Sequence, residues 1–160
     1  MKVAIYCRIS KEGQELDAQL QECREFCNNR KFTIINEYSD VISGTKDSRP
    51  QLDLLMKACF QKKFDAVVVW KLDRLGRSLQ HLVSVVNQWR NYGIDFICVT
   101  QQFDTTNPNG KLLFHIFSAI AEFERDLISE RTKLGLKKAK NVGKRGKDKK
   151  PRRKEGYYKR

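Results

Sequence analysis

The run Ala66-Val67-Val68-Val69-Trp70 constrains this chain more than any other stretch. Five consecutive apolar residues, three of them β-branched, leave no polar face to offer to water. A strand of that kind is covered on both sides, and that burial is typical of a parallel sheet flanked by helices. The surrounding pattern agrees. Val3–Cys7 (VAIYC), Phe32–Tyr38 and Ile94–Thr100 read as further strands. Between them, apolar residues recur at helical spacing: Leu16, Leu20, Cys23 and Cys27; then Leu52, Leu55, Met56 and Cys59; then Leu79, Leu82, Val83, Val86 and Trp89. Pro50 suits a first helical position, Ser78 an N-cap and Gly93 a helix stop. The expected fold is therefore α/β, an open parallel four-stranded sheet of order βαβαβαβ with right-handed crossovers and flanking helices.

A longer helix is expected to follow. From about 110 to 140 there is no proline beyond Pro108, and Leu112, Leu113, Ile116, Phe117, Ile120, Phe123, Leu127 and Ile128 form an apolar stripe. Thirty helical residues span roughly 45 Å, more than a body of this size needs. Such a helix either packs along its own sheet or pairs with a second subunit and carries its basic end to a polyanion. The division expected is a body at 1–140, long helix included, and a tail at 141–160 that has too few apolar residues to build a core.

Charge is divided just as sharply. Residues 137–160 carry 13 basic and 2 acidic side chains, so +11 of the net +13 sits in that segment. Lys137, Lys138, Lys140, Lys144, Arg145, Arg152 and Arg153 are the candidate contacts to a nucleic-acid backbone, held by release of counterions. A secretory signal and a transmembrane run are not evident. The five cysteines, Cys7, Cys23, Cys27, Cys59 and Cys98, are odd in number and form no C-x-x-C pair. They read as reduced core thiols, and a cytoplasmic protein is expected.

In open α/β sheets, sites form beyond the carboxyl ends of the strands. Arg8 and Ser10 follow strand one; Lys71, Asp73, Arg74, Arg77 and Ser78 follow strand three; Asp40, Ser43 and Arg49 follow strand two. Several arginines facing hydroxyls suit phosphoryl chemistry, because guanidinium groups match phosphate oxygens and fixed cations stabilise the transition state. Ser10 is then a nucleophile or one more phosphate contact. No phosphate-binding glycine loop occurs. Asp40, Asp73 and Asp104 would suit a metal-dependent nuclease, but the nearby arginines would compete for those carboxylates. His81 and His115 read as helix-surface residues.

In order along the chain, these residues resemble the serine recombinases, the resolvase and invertase group. Tyr6-Cys7-Arg8-Ile9-Ser10 is similar to the family's Y-x-R-x-S signature. Gln19, Asp40, Ser43-Gly44-Thr45, Arg49-Pro50, Leu72–Ser78 (LDRLGRS), Ala121–Arg125 and Glu130-Arg131-Thr132 resemble its later blocks. The resemblance implies site-specific DNA recombination through a covalent 5′-phosphoserine link, with Ser10 as nucleophile. Arg8, Arg49, Arg74 and Arg77 would hold the phosphate, with Asp73 orienting them or moving a proton. Tyr6, Gln19, Ser43 and Arg131 would support them. It implies no cofactor and no metal. It also implies double-stranded DNA as partner, a homodimer assembling to a tetramer, and Leu113, Phe117 and Ile120 as interface residues on the long helix. The short tail holds no helix-turn-helix, so site choice would come from a partner or a further domain. The alternative is a non-catalytic DNA-binding and dimerising regulatory module.

Overall fold

In a computed structural model, the backbone is described for residues 1–9, 14–41 and 48–147, and side chains for the same residues except 14, 15 and 139–147. The elements in order are β1 (Lys2–Ile9), α1 (Gln14–Asn29), β2 (Thr33–Val41), α2 (Pro50–Phe60), β3 (Ala66–Val69), α3 (Leu72–Leu75), α4 (Leu79–Asn91), β4 (Asp95–Cys98), β5 (Phe103–Asp104) and α5 (Pro108–Lys147). The sheet runs β2-β1-β3-β4-β5. Its first four strands are parallel, as the apolar runs predict, with Val3–Tyr6 of β1 beside Ala66–Val69 of β3.

Two elements depart from the expectation. The sheet has five strands rather than four, because Phe103–Asp104 folds back antiparallel against Ile97–Cys98. A two-residue strand has no period to read. The single turn α3 interrupts what reads as a loop after β3.

The period of two along the strands assigns the cores. Ala4, Tyr6, Val67, Val69, Phe96 and Cys98 face α2, α4 and the first turns of α5, among Leu55, Val86, Trp89 and Phe114. Val3, Ile5, Cys7, Ala66, Val68 and Ile97 face the other way and meet Cys23 and Cys27 of α1. Ala66–Val69 is wholly buried, so the reading of β3 as covered on both faces holds. Ser78 caps α4, its Oγ accepting from the His81 N–H at 3.2 Å. Gly93 follows α4 at φ +77°, a conformation that side chains with a Cβ resist.

The chain divides into two compact units, Met1–Glu122 and Phe123–Arg160. Helix α5 belongs to both. In the first unit, Phe114 is buried and Phe117 stacks on Phe103 with ring centroids 5.7 Å apart. Gly110 lies against β5 so closely that a Cβ there would stand 1.8 Å from the Asp104 carbonyl oxygen. In the second unit, Phe123, Ile128, Leu134 and Leu136 are exposed. The helix continues to Lys147, and of its described side chains from Phe123 to Lys138 all but the half-buried Leu127 are exposed. A helix closes its backbone hydrogen bonds internally and needs no core for that purpose.

Candidate active site

The strand order turns back between β1 and β3, so their carboxyl ends stand side by side at the switch point. Arg8 is the penultimate residue of β1. Its Nε donates to the Arg74 carbonyl at 2.9 Å and its Nη2 to the Asp73 carbonyl at 2.6 Å. Arg49 enters from the other side. It is buried at the N-cap of α2, and its Nη1 donates to the Leu75 carbonyl at 2.6 Å. Three successive carbonyls of α3 are thus taken by guanidinium groups from two other elements. Terminal carbonyls of a helix have no partner within it, and cations are favoured there. The local physics that ties down this one turn also gathers Arg8, Arg49 and Arg74 around it.

Arg74 is mostly buried, with its Nε 3.9 Å from the Asp73 carboxylate; Asp73 and Arg77 are exposed. Gly76 makes the sharp passage from α3 to α4 possible. A Cβ there would lie 2.7 Å from that of Leu82. Beneath this passage lies an apolar cleft of about 300 Å³, whose walls include Leu72, Leu82 and Phe117.

Asp40, at the end of β2, is buried and serves as a distant cap. Its Oδ1 accepts from the Gln51 N–H and its Oδ2 from the Leu52 N–H, each at 3.0 Å, and Oδ2 also accepts from the Tyr6 hydroxyl at 3.0 Å. Burial first, and then the Asp40 charge, push the Tyr6 hydroxyl well above its ordinary value and keep it a donor. Asp40 therefore sets the start of α2, and with it Arg49. Gln19 is buried on α1.

Other residues picked out by sequence fall elsewhere. Asp104 is buried, salt-bridged to Arg30 at 2.9 Å and bonded to Thr106, so it stands apart from Asp40 and Asp73. Among the described residues, no group of three or more His, Cys, Asp or Glu is placed to hold a metal ion. Leu113 and Ile120 are exposed on α5, whereas Phe117 is half-buried and packs onto its own core. Arg131, Lys137 and Lys138 are exposed on the second unit. Lys140, Lys144 and Arg145 lie on the α5 backbone with side chains outside the described set, and Ser10, Ser43, Arg152 and Arg153 lie outside the described residues. Sequence reading passed over Glu22 and Trp70, which meet beside this cluster. An aromatic closing an apolar run, directly before the arginine segment, was the available signal.

All five cysteines are free and buried. Burial pushes Cys27 up to about 11 and Cys59 up to about 12. The Cys7 thiol beside it, and then burial, hold Cys23 far above the ordinary thiol range.

A family model described as the resolvase N-terminal domain matches residues 3–145. The serine recombinase gin of Escherichia phage Mu is 43% identical over 141 residues, covering 88% of this chain and 69% of that protein. The DNA-invertase hin of Salmonella typhimurium is 39% identical over 141 residues, covering 88% and 70%. Among solved structures, a resolvase family site-specific recombinase from Streptococcus pneumoniae superposes with a TM-score of 0.76 at 30% identity, over 88% of this chain and 99% of that one. The N-terminal catalytic domain of TP901-1 integrase gives 0.72 at 36% identity, over 79% and 98%.

Proposed function

The chain belongs to the resolvase family of serine recombinases, enzymes of site-specific DNA recombination, and we propose that it breaks and rejoins DNA with Ser10 as the nucleophile. The observation that carries this reading is the gathering of Arg8, Arg49 and Arg74 around α3, at the switch point beside the end of β1. Ser10 follows that strand directly in sequence. Its Oγ attacks a backbone phosphorus as its proton leaves. A P–O bond forms to serine, the bond to the 3′ oxygen breaks, and that oxygen departs as a 3′-hydroxyl. Negative charge on the nonbridging oxygens is held by Arg8, Arg49, Arg74 and the exposed Arg77. Asp73 orients the arginines or takes part in proton transfer. Attack of another strand's 3′-hydroxyl on the phosphoserine reverses the step. The phosphoester bond is conserved throughout, so rejoining needs neither a nucleotide nor a metal.

Tyr6 acts through Asp40, and Gln19, Ser43 and Arg131 support the site. The working unit is a homodimer that pairs into a tetramer across two DNA sites. Leu113 and Ile120, exposed on α5, lie in its interface. The basic half of α5 and the tail hold the DNA backbone without reading its bases. Site choice comes from a further domain or partner. The cytoplasm, where thiols stay reduced, suits this chemistry and the five free cysteines.

The test is covalent trapping. The full chain, fused at its C-terminus to a DNA-binding module of known specificity, is incubated in chelator with supercoiled DNA bearing that module's site. A Ser10→Ala copy runs beside it. A protein–DNA adduct on a 5′ end that requires Ser10 supports the reading. Binding without any adduct favours a regulatory module, and cleavage abolished by chelator favours a metal nuclease.

A further inference from the structure

Trp70 closes the buried run of β3, and its indole touches two parts of the molecule at once. Its Nε1 donates to the Glu22 carboxylate of α1 at 2.5 Å. Over its ring lie the Lys71 Nζ, 4.0 Å from the centroid, and the Arg74 guanidinium carbon, 5.9 Å away. The backbone beneath it is fixed. The Trp70 carbonyl accepts from the Thr100 N–H at 3.1 Å and from its Oγ1 at 2.9 Å. The next amide but one, Leu72, donates to the Gln101 side chain at 3.3 Å. The ring is therefore mounted on a rigid strand end, with one edge bonded to α1 and one face against the arginine segment.

Those two parts matter to the same reaction. Helix α1 is the first element after Ser10, separated from β1 by residues 10–13 alone, and it carries the buried Gln19. Arg74 belongs to the cluster that would hold the phosphate. We propose that Glu22 and Trp70 are positioning residues for strand cleavage, clasping the helix downstream of the nucleophile to the turn that bears Arg74. The proposal rests on the Ser10 reading above. Neither residue touches reacting atoms.

The chemistry suits a clasp. A carboxylate accepting from an indole N–H makes a charge-assisted bond, and tryptophan holds cations on its face better than other aromatics do. One anion at the ring edge and two cations at its face compensate each other. Without Glu22, α1 keeps its apolar packing near Trp70 but loses the directional bond that ties it to the ring beside Arg74.

Hydrogen exchange on the full chain separates a clasp from a merely structural contact. In Glu22→Ala and Trp70→Phe, amides of α1 and of α3 are expected to exchange faster together, by about fivefold for one surface charged bond. Glu22→Gln, whose amide oxygen still accepts from the indole, is expected to stay near the unsubstituted chain. In the trapping assay, the Ser10 adduct is expected to form about fivefold more slowly in the first two variants and to recover in the third, with DNA affinity unchanged and the thermal midpoint lowered by only a few degrees. Exchange that rises in α1 alone, or in neither helix, overturns the proposal. So does an adduct rate that follows only the thermal midpoint. Absence of any Ser10-dependent adduct from the unsubstituted chain refutes the nucleophile assignment instead, and the exchange data still decide whether the two helices are coupled.

Discussion

The side chain of Arg8 holds the backbone of Arg74: its Nε reaches the Arg74 carbonyl at 2.9 Å, a bond between positions 66 residues apart. One cation of the cluster is thus placed by another. Replacing Arg8 therefore disturbs Arg74 as well, whereas Arg74→Ala keeps the carbonyl that Arg8 holds, so single substitutions at these two positions will not sum.

Arg77 is the exposed member and Arg49 the buried one. Arg77→Ala is expected to abolish the covalent adduct with the unfolding midpoint unchanged. Arg74→Ala is expected to do the same with a modest loss of stability. Arg49→Ala should lose both activity and roughly 1–3 kcal/mol of stability, because it strands the buried Leu75 carbonyl. Adduct assays beside urea denaturation check all three. Normal cleavage by the Arg74 and Arg77 variants would remove them from the site.

Tyr6→Phe removes one of the three donors to Asp40 among the described residues and is expected to cost about 1 kcal/mol. Asp40→Ala removes the cap of α2 and leaves the buried tyrosine hydroxyl without its acceptor. Its expected cost is about 2–3 kcal/mol. Equal midpoints for the two variants in urea would show that the cap is not formed.

Gly76→Ala places a methyl 2.7 Å from the Leu82 Cβ and 3.0 Å from the Ser78 carbonyl. Destabilisation of about 1–3 kcal/mol follows from overpacking. Gly110→Ala should be worse, since its methyl meets the Asp104 backbone, which cannot swing aside. Thermal melts rank the two, and the reverse order would contradict the close approach of α5 to β5.

The thiols give a pH dependence. Burial raises the folded-state values of Cys27, to about 11, and of Cys59, to about 12, from an ordinary 9.0. The unfolded chain therefore gives up these protons first. Their contribution to stability is complete below about pH 9 and is lost as the pH rises through 11 to 12. At pH 8 the native thiols should resist alkylation, and all five should react in denaturant. Rapid labelling of the native chain would contradict their burial.

Truncation after Lys140 removes most of the basic excess. It is expected to weaken DNA binding and to flatten the dependence of affinity on salt, since fewer counterions are released. Titrations at several salt concentrations test this, and an unchanged slope would exclude the tail from the interface.

Much of this fold was legible because the central strands β1 and β3 are buried on both faces, although the edge strand β2 is largely exposed. Ala66–Val69 could not be mistaken for a half-exposed strand, and Pro50, Ser78 and Gly93 marked helix ends by chemistry that acts locally. The arginines were legible as residue types. What could not be read was how they come together, since the bonds from Arg8 and Arg49 to α3 cross long stretches of sequence. Asp104 reads as one of three acids near strand ends, but a long-range ion pair with Arg30 claims it. Phe117 fits the exposed stripe of α5 by spacing, yet the antiparallel β5 that it stacks on was itself invisible to periodicity.

The cap that Asp40 provides comes from a strand, not from the residue preceding the helix. Pro50 starts α2 locally, and Asp40 of β2 adds two acceptors to that start, which helps to fix the neighbouring Arg49. On the proposed assignment, the capacity to cut depends on the whole sheet, because Arg8 comes from β1, Arg49 from the start of α2 that β2 caps, and Arg74 from the turn after β3.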